Sequence, residues 1–513
     1  MAVARPHPHA APGGRLAAVR ARASWRHAAV AAALAAYVAT RASMADRFPY
    51  IGDEGWHGTF VVDVGESLGN LWVSLTIAKE PLAIWIAALI AKLGVEPMDA
   101  MRAVSVLAGL GTVVAVGLFA RHADGRGAGL AALAIGAALP FWLVLDAIGL
   151  MDALIAAEVA GALYLQVRLA ERPSLRTALG LGLLLAAAVL TKESGKSAVA
   201  LMPLSLLCFD WAGPRVRERL LRWAGLAALA AAMAGLAYLW MRSSDLWSRA
   251  EELRRIPIEY PVRPLGAALE DPLGAIRANA PEYRTALLHY FTVPFLAAAA
   301  WGATVLARER RGLALLLGIW IVVPVAAALL LPYNAYARHV MFATPALVVL
   351  AGIGLARAAG WAAGRWGTAA AALGVAVAFS QALWLDGRIL ADPATARYPG
   401  ADDWQYVTGP SAGAIWPGVV EEIRARTGGR PTVVLKSAAV TWVPEFLLDD
   451  PDVRFVYADH PRAPEATLAV QDALPFPDVA GRRLIRERGL RLVRTFERPR
   501  GGAAVRLYER GAP

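Results

Sequence analysis

Cysteine is almost absent from this chain of 513 residues, since Cys208 is the only one. No intramolecular disulfide can therefore form, and the apolar setting of Cys208 in LMPLSLLCFDW predicts a buried, inert thiol. Charged residues are also scarce, at 18% of the sequence against 57% hydrophobic residues. Ordinary soluble domains have about a quarter charged residues, so this composition excludes an ordinary soluble protein.

The sequence also lacks a basic soluble stretch with interleaved aromatic residues, which nucleic-acid-binding surfaces require. Its net charge of +11 comes from arginines in short breaks between apolar runs. That distribution is typical of cytoplasmic loops of membrane proteins. The charge therefore predicts no nucleic-acid partner.

The sequence is instead dominated by long apolar runs, such as GLGLLLAAAVL and AALAAAMAGLAYLW. A bilayer core requires roughly 20 apolar residues per helix, and many runs approach that length. We predict a polytopic α-helical membrane protein with about eleven transmembrane helices. The predicted spans are 27–44, 102–120, 127–145, 153–168, 177–191, 197–210, 222–240, 286–306, 312–331, 340–357 and 368–385.

The arginines indicate how the chain threads through the membrane. They collect in the basic tail 1–26, interpreted as disordered, and in alternate breaks such as RHADGRG, RLAERPSLR, RVRERLLR and RERR. Positive residues favour the cytoplasmic side, so we predict an inside N-terminus and an outside C-terminus in the inner or plasma membrane. The run HAAVAAALAAYVAT also fits a signal-peptide core, but its long preceding region favours an uncleaved first span.

Three further segments are assigned to the outer side. Residues 45–101 form a large first loop, in which PLAIWIAALIAKLGV is too short to span and is predicted as an interfacial helix. Residues 241–285 form a second large loop. Residues 386–513 are more polar and contain the strand-like runs PTVVLKSAAV, RFVYADH and AAVRLYER. They predict a soluble α/β domain that follows the membrane domain 27–385 and lies outside the membrane.

This threading collects the unusual polar residues on one face. Carboxylates beside cations at the outer surface suit transfer of a sugar from a lipid phosphate. The phosphate leaving group needs cations, and the attacking hydroxyl needs a carboxylate base. The residues are Asp53, Glu54, His57, Asp63, Glu66, Lys79, Glu80, Asp146, Asp152, Lys192, Glu193, Lys196, Arg338 and His339.

The order of these motifs resembles the GT-C membrane glycosyltransferases of the protein O-mannosyltransferase and aminoarabinose transferase type. An acidic pair, Asp53-Glu54, follows the first span, Lys-x-Pro-Leu precedes an aromatic residue, and Arg102 opens the next span. MDAL follows the third span, Leu-Thr-Lys the fifth, and Arg-His-x-x-x-x-x-Pro opens a late span. The resemblance covers roughly 27–357. It implies a GT-C-like fold and an enzyme that passes a sugar from a polyprenyl-phosphate donor to an extracytoplasmic acceptor, which is a protein, lipid or polysaccharide.

The resemblance also implies roles for single residues. Asp53 would be the base or would orient the acceptor, with Glu54 beside it and Asp152 as a second catalytic carboxylate. Where the family often has Pro-Pro and Arg-Tyr, this chain has Glu80-Pro81 and Arg338-His339, which leaves the donor sugar open. The residues expected to hold the donor phosphate are Lys79, Arg338 and Lys192.

Several alternatives remain open at this stage. Asp53, Glu54 and His57 can be interpreted as a divalent-metal cluster or, for His57, as an acceptor contact. Trp56 suits either sugar stacking or the interfacial aromatic belt. A transporter or flippase for a lipid-linked or anionic substrate is the second function, although we find no clear internal repeat. A scaffold with an outer sensing domain is the third.

Overall fold

The computed structural model describes residues 12–256, 262–437, 442–472 and 478–511, and the side chains from residue 26 onward. The predicted tail residues 1–11, loop residues 257–261 and strand residues 438–440 lie outside this description. The helices of the first part of the chain are α1 (Pro12–Arg47), α2 (Gly52–Glu66), α3 (Leu82–Ala91), α4 (Pro97–Asp124), α5 (Arg126–Ala137), α6 (Pro140–Leu145), α7 (Asp152–Glu171), α8 (Leu175–Thr191), α9 (Gly195–Ala200) and α10 (Val216–Arg242).

The helices continue with α11 (Trp247–Arg254), α12 (Leu265–Glu270), α13 (Pro272–Ala286), α14 (Val293–Glu309), α15 (Arg311–Leu330), α16 (Thr344–Trp366), α17 (Thr368–Ala391), α18 (Ala401–Asp403), α19 (Trp416–Thr427), α20 (Val443–Leu448) and α21 (Val479–Glu487). Within the described residues, eight helices are long and apolar enough to cross a membrane. They are Arg26–Arg47, Pro97–Asp124, Asp152–Glu171, Val216–Arg242, Pro272–Glu309, Arg311–Leu330, Ala337–Trp366 and Thr368–Ala391. This confirms a polytopic helical membrane protein.

Two predicted spans are interrupted by proline. The 127–145 span ends as α5 at Ala137 and resumes as α6 at Pro140, because proline lacks an N–H and forces the preceding residue into an extended conformation. Arg41 of α1 donates to the carbonyls of Gly136 (3.4 Å) and Leu139 (3.3 Å) at this break. The 197–210 span is divided into α9 and the 3₁₀ helix Met202–Cys208.

Two segments predicted as a tail and a loop contain helices. Helix α1 begins at Pro12, inside the predicted tail 1–26. The predicted outer loop 241–285 contains α11, α12 and most of α13. Helix α13 continues through a π-helical turn, Leu287–Thr292, into α14. Helix α3 is only 10 residues long, as expected for a segment too short to span.

Close helix packing positions the site. Helix α4 packs against both α2 and α7, so the beginnings of these two helices approach each other. On the other side of the bundle, a Cβ atom on Gly302 or Gly354 would overlap backbone carbonyl oxygens of the facing helix. Small residues permit such close approach of α14 and α16 in membrane helix pairs.

The C-terminal part forms the predicted α/β domain. Its sheet has the order β2-β1-β3-β5-β4, in which β1, β2 and β3 are parallel and β5 is antiparallel to both neighbours. This domain packs directly on α2, since the Gly52 N–H donates to the Ser411 carbonyl at 3.0 Å. Its strands are β1 (Thr432–Ser437), β2 (Val453–Tyr457), β3 (Leu468–Asp472), β4 (Leu490–Glu497) and β5 (Ala504–Arg510).

Candidate active site

A cleft of about 300 Å³ lies between the first outer segment, the 146–152 turn and the segment before α16. Residues separated by almost 300 positions in the chain meet at this cleft. Seven of the eight predicted site residues line it, and only Glu54 does not: the seven are Asp53, Trp56, His57, Lys79, Asp152, Lys192 and Arg338.

Asp53 forms the first acid–base pair of the cleft. It lies in the first turn of α2, where the helix dipole stabilises a carboxylate. Its Oδ2 accepts a hydrogen bond from Arg338 Nη1 at 3.0 Å, and 45% of its side chain is exposed to the cleft. Burial raises the pKa of Asp53, but the charges of Arg338 and Lys79 outweigh burial and hold the pKa below its usual value. Asp53 is therefore ionised at neutral pH and accessible, as a general base must be.

The second acid–base pair joins the ends of two helices. Asp152 opens α7 and Lys192 directly follows α8, with 2.6 Å between Asp152 Oδ1 and Lys192 Nζ. An anion at a helix N-terminus and a cation at a helix C-terminus are both favoured by the helix dipoles. The Asp152 side chain is almost buried, whereas Lys192 is partly exposed to the cleft.

Lys79 differs from these two cations. It follows Ala78, which adopts a left-handed conformation with φ of 58° and so turns the chain at the cleft wall. Within the part of the chain that the structure describes, the Lys79 ammonium has no ion pair or hydrogen bond. The cleft lining therefore holds three cations and three carboxylates, Asp53, Glu80 and Asp152, and each of the carboxylates pairs with a cation other than Lys79.

Glu54 does not have the catalytic position that the resemblance implied. Its side chain is fully buried and pairs with Arg102, at 2.6 Å from Nε and 2.8 Å from Nη2. The carboxylate also accepts the N–H groups of Gly149 at 2.8 Å and Ile51 at 2.9 Å. The Glu54 carboxylate thus accepts hydrogen bonds from four donors inside the protein, and it has no contact with the cleft. It connects α2 and α4 to the turn that leads to Asp152.

His57 and Trp56 occupy different parts of the cleft wall. The His57 Nδ1–H donates to the Gly149 carbonyl at 2.8 Å, and burial lowers the pKa of His57, which keeps the ring neutral. Among the described residues no three His, Cys, Asp or Glu side chains are grouped to bind a metal. Trp56 contacts Trp442 of the α/β domain edge to face, with 5.8 Å between ring centroids. It therefore lies where the two domains meet.

The sequence reasoning missed the partner of Glu80. This buried carboxylate, at the position where the resembled family often has proline, accepts from Arg254 Nη2 at 3.0 Å. Arg254 lies at the end of α11, so the pair fastens the second outer segment to the cleft wall. No sequence signal linked the two residues, because they are far apart in the chain and belong to different motifs.

Comparison with known proteins identifies the fold. Residues 78–240 match the family described as dolichyl-phosphate-mannose-protein mannosyltransferase. The structure of ArnT from Cupriavidus metallidurans in the apo state matches with a TM-score of 0.61 and 15% identity, over 95% of this chain and 98% of that chain. A second ArnT structure, bound to undecaprenyl phosphate, matches with a TM-score of 0.61 and 16% identity, over 94% and 98%.

A more distant match is the oligosaccharyltransferase AglB from Archaeoglobus fulgidus, in complex with an inhibitory peptide and a dolichol-phosphate. Its TM-score is 0.51 at 12% identity, over 88% of this chain and 70% of that chain. No curated protein matches the sequence significantly. This chain therefore shares the fold of the ArnT structures over nearly its whole length, and the family match lies within that shared region.

Proposed function

We propose that this protein is a GT-C glycosyltransferase that transfers a sugar from a polyprenyl-phosphate donor to an acceptor hydroxyl on the extracytoplasmic side of the inner or plasma membrane. The chain is a multi-pass membrane protein. The extracytoplasmic side is supported by the arginine distribution, because the basic loops and the cleft residues fall on opposite sides in the predicted threading.

The observation that carries the proposal is the charge of the cleft. Lys79, Lys192 and Arg338 line the cleft with three carboxylates, and in the described part of the chain the Lys79 ammonium has no ion pair. A phosphate entering such a site meets a cation that no protein carboxylate pairs with directly. The matched ArnT and AglB structures are bound to undecaprenyl phosphate and dolichol-phosphate, respectively, which agrees with a lipid phosphate as the ligand.

The proposed chemistry is a single displacement. The acceptor oxygen attacks the anomeric carbon while the bond from that carbon to the phosphate oxygen breaks, and its electron pair leaves with the polyprenyl phosphate. Asp53 takes the acceptor proton, and Arg338 with Lys79 stabilises the charge that develops on the phosphate. Because the donor phosphate competes with Asp53 for Arg338, donor binding would also free the carboxylate to act as the base.

The test replaces Asp53 by Asn in the full-length protein in its own membranes. Product formation from a polyprenyl-phosphate sugar should fall by at least about a hundredfold, the lower range for a lost general base, while the amount of protein in the membrane is unchanged. Asp63→Asn is the matched control, because Asp63 lies on the same helix outside the cleft lining. Full transfer by D53N, or an equal loss in D63N, would refute the assignment.

A further inference from the structure

A short segment after the last membrane helix reaches the back of the cleft. Residues 398–408 follow α17 and comprise α18 and a π-helical turn, Trp404–Thr408. Asp402 and Tyr406 lie four residues apart, so one helical turn presents both side chains in the same direction. Both are buried, with exposed fractions of 1% each. The cleft residues of the proposed mechanism come from other parts of the chain.

Asp402 supports the backbone that carries Arg338. Its Oδ2 accepts a hydrogen bond from the Tyr290 hydroxyl at 2.8 Å. The backbone N–H of Ala337, the residue before Arg338, faces the carboxylate, and so does the Arg338 charge. Arg338 itself extends forward to Asp53 at 3.0 Å. The guanidinium thus pairs directly with the cleft carboxylate, and its charge also acts on the buried Asp402, with which it forms no ion pair in the described residues.

Tyr406 adds an unsatisfied donor to the same place. Its ring packs edge to face on Phe48 and Tyr398, at 5.8 Å from each. Its hydroxyl is buried without a hydrogen-bond partner in the described structure, and Asp402 Oδ1 is likewise unpartnered. The charges of Asp402 and Arg338 both act on this hydroxyl. An unpaired buried hydroxyl reduces stability, so phenylalanine would be the better residue here if packing were the only requirement.

We propose that Asp402 and Tyr406 are positioning residues that hold Arg338 in place for the donor phosphate. This inference rests on the proposed function, since it requires that Arg338 bind a phosphate. It makes the post-membrane segment 398–408 part of the donor site rather than a plain connection to the α/β domain.

The charge state of Asp402 gives the inference a pH signature. Burial raises the pKa of Asp402 to about 7, although the Tyr290 hydrogen bond opposes the shift. The carboxylate is therefore ionised at about pH 8 and largely neutral at about pH 6. Only the ionised form attracts the guanidinium. The groups facing Asp402 from the surrounding elements are Tyr290, Glu282, Arg338, Tyr336, Tyr398 and Tyr406.

The experiment measures binding of undecaprenyl phosphate to the purified full-length protein in detergent between about pH 6 and pH 8. At pH 8, D402N should bind about fivefold more weakly than the native protein, the size of coupling expected within one electrostatic network, and the two should converge at pH 6. Y406F should weaken binding by a similar factor at pH 8. Neither variant should unfold more readily at pH 8, because Y406F removes a buried hydroxyl without a partner and D402N replaces a buried charge by a neutral amide that keeps an acceptor for the Tyr290 hydroxyl.

Matched controls stand beside each variant. Asp403 pairs with Arg500 at 2.6 Å, and the Tyr398 hydroxyl donates to the Pro393 carbonyl at 2.8 Å, so D403N and Y398F alter the same segment without touching Arg338. In an R338K background, D402N should cause no further loss. Native-like binding by D402N at pH 8, or the same fold loss with and without R338K, would overturn the inference alone. Absence of binding by the native protein would overturn the proposed function as well.

Discussion

Replacing Glu54 by Gln separates a positioning carboxylate from a catalytic one. The Glu54 side chain is 0% exposed and its partner Arg102 is 4% exposed, and the pair has two hydrogen bonds of 2.6 and 2.8 Å. Glutamine keeps the shape of the Glu54 side chain but removes its negative charge. Its amide N–H groups are donors and replace one of the oxygen acceptors that face the guanidinium. Arg102 then becomes a buried, uncompensated cation. Removing one partner of such a pair typically costs about 3–5 kcal/mol.

The loss should appear in stability before it appears in chemistry. We expect E54Q to reach half-unfolding at a lower fraction of denaturing detergent than the native protein. Unfolding of the purified protein is monitored by tryptophan fluorescence. D53N should change the unfolding midpoint little, because the Asp53–Arg338 pair is partly exposed and exposed pairs contribute about 0–1 kcal/mol.

A double variant makes the test stricter. Arg102→Met in the E54Q background removes the uncompensated charge, so E54Q/R102M should recover part of the stability that E54Q lost. Native stability of E54Q combined with loss of product would refute the reasoning and return Glu54 to the catalytic role. A double variant that loses as much as the two single variants added together would also contradict a direct pair.

Three further predictions follow from the same geometry. Lys192→Met should destabilise the protein by leaving the nearly buried Asp152 unpaired, and adding Asp152→Asn should restore stability, measured by detergent unfolding, but not product formation. Gly55→Leu should lower sugar transfer at an unchanged protein level, because a Cβ atom at this position would lie 2.8 Å from the backbone of the α/β domain. Gly65→Leu is the control and should transfer normally, because nothing lies within 4 Å of a Cβ atom there. The sugar should be transferred with inversion at the anomeric carbon, since one base and no covalent intermediate are involved; NMR of the product that shows retention would contradict this.

Much of the site could be predicted because its chemistry depends on residue type and order. Ionisable residues are costly in an apolar chain, so Asp53, Lys79 and Arg338 stand out from their neighbours without any structure. Their order along the chain was enough to indicate the GT-C resemblance, which the family match and the fold confirm. The strand-like runs after residue 386 likewise predicted an α/β domain, which is present.

Adjacent residues with the same charge could not be assigned separate roles in this way. Asp53 and Glu54 are both acidic residues in the first turn of one helix, yet a rotation of about 100° per residue directs them to different surroundings. Asp53 faces the cleft, and Glu54 faces Arg102 inside the protein. The difference depends on what packs on each side of the helix, which no local pattern contains.

By itself the amino-acid sequence determined the membrane character and the charged cluster and indicated the proposed class of reaction, because apolar length and ionisable groups act through local chemistry. Only the tertiary structure decided which members of the cluster share the cleft and which of them are buried and paired. It also brought Asp402 and Tyr406 within electrostatic range of Arg338. Burial and pairing arise from contacts between distant segments, and those contacts exist only after the helices have packed.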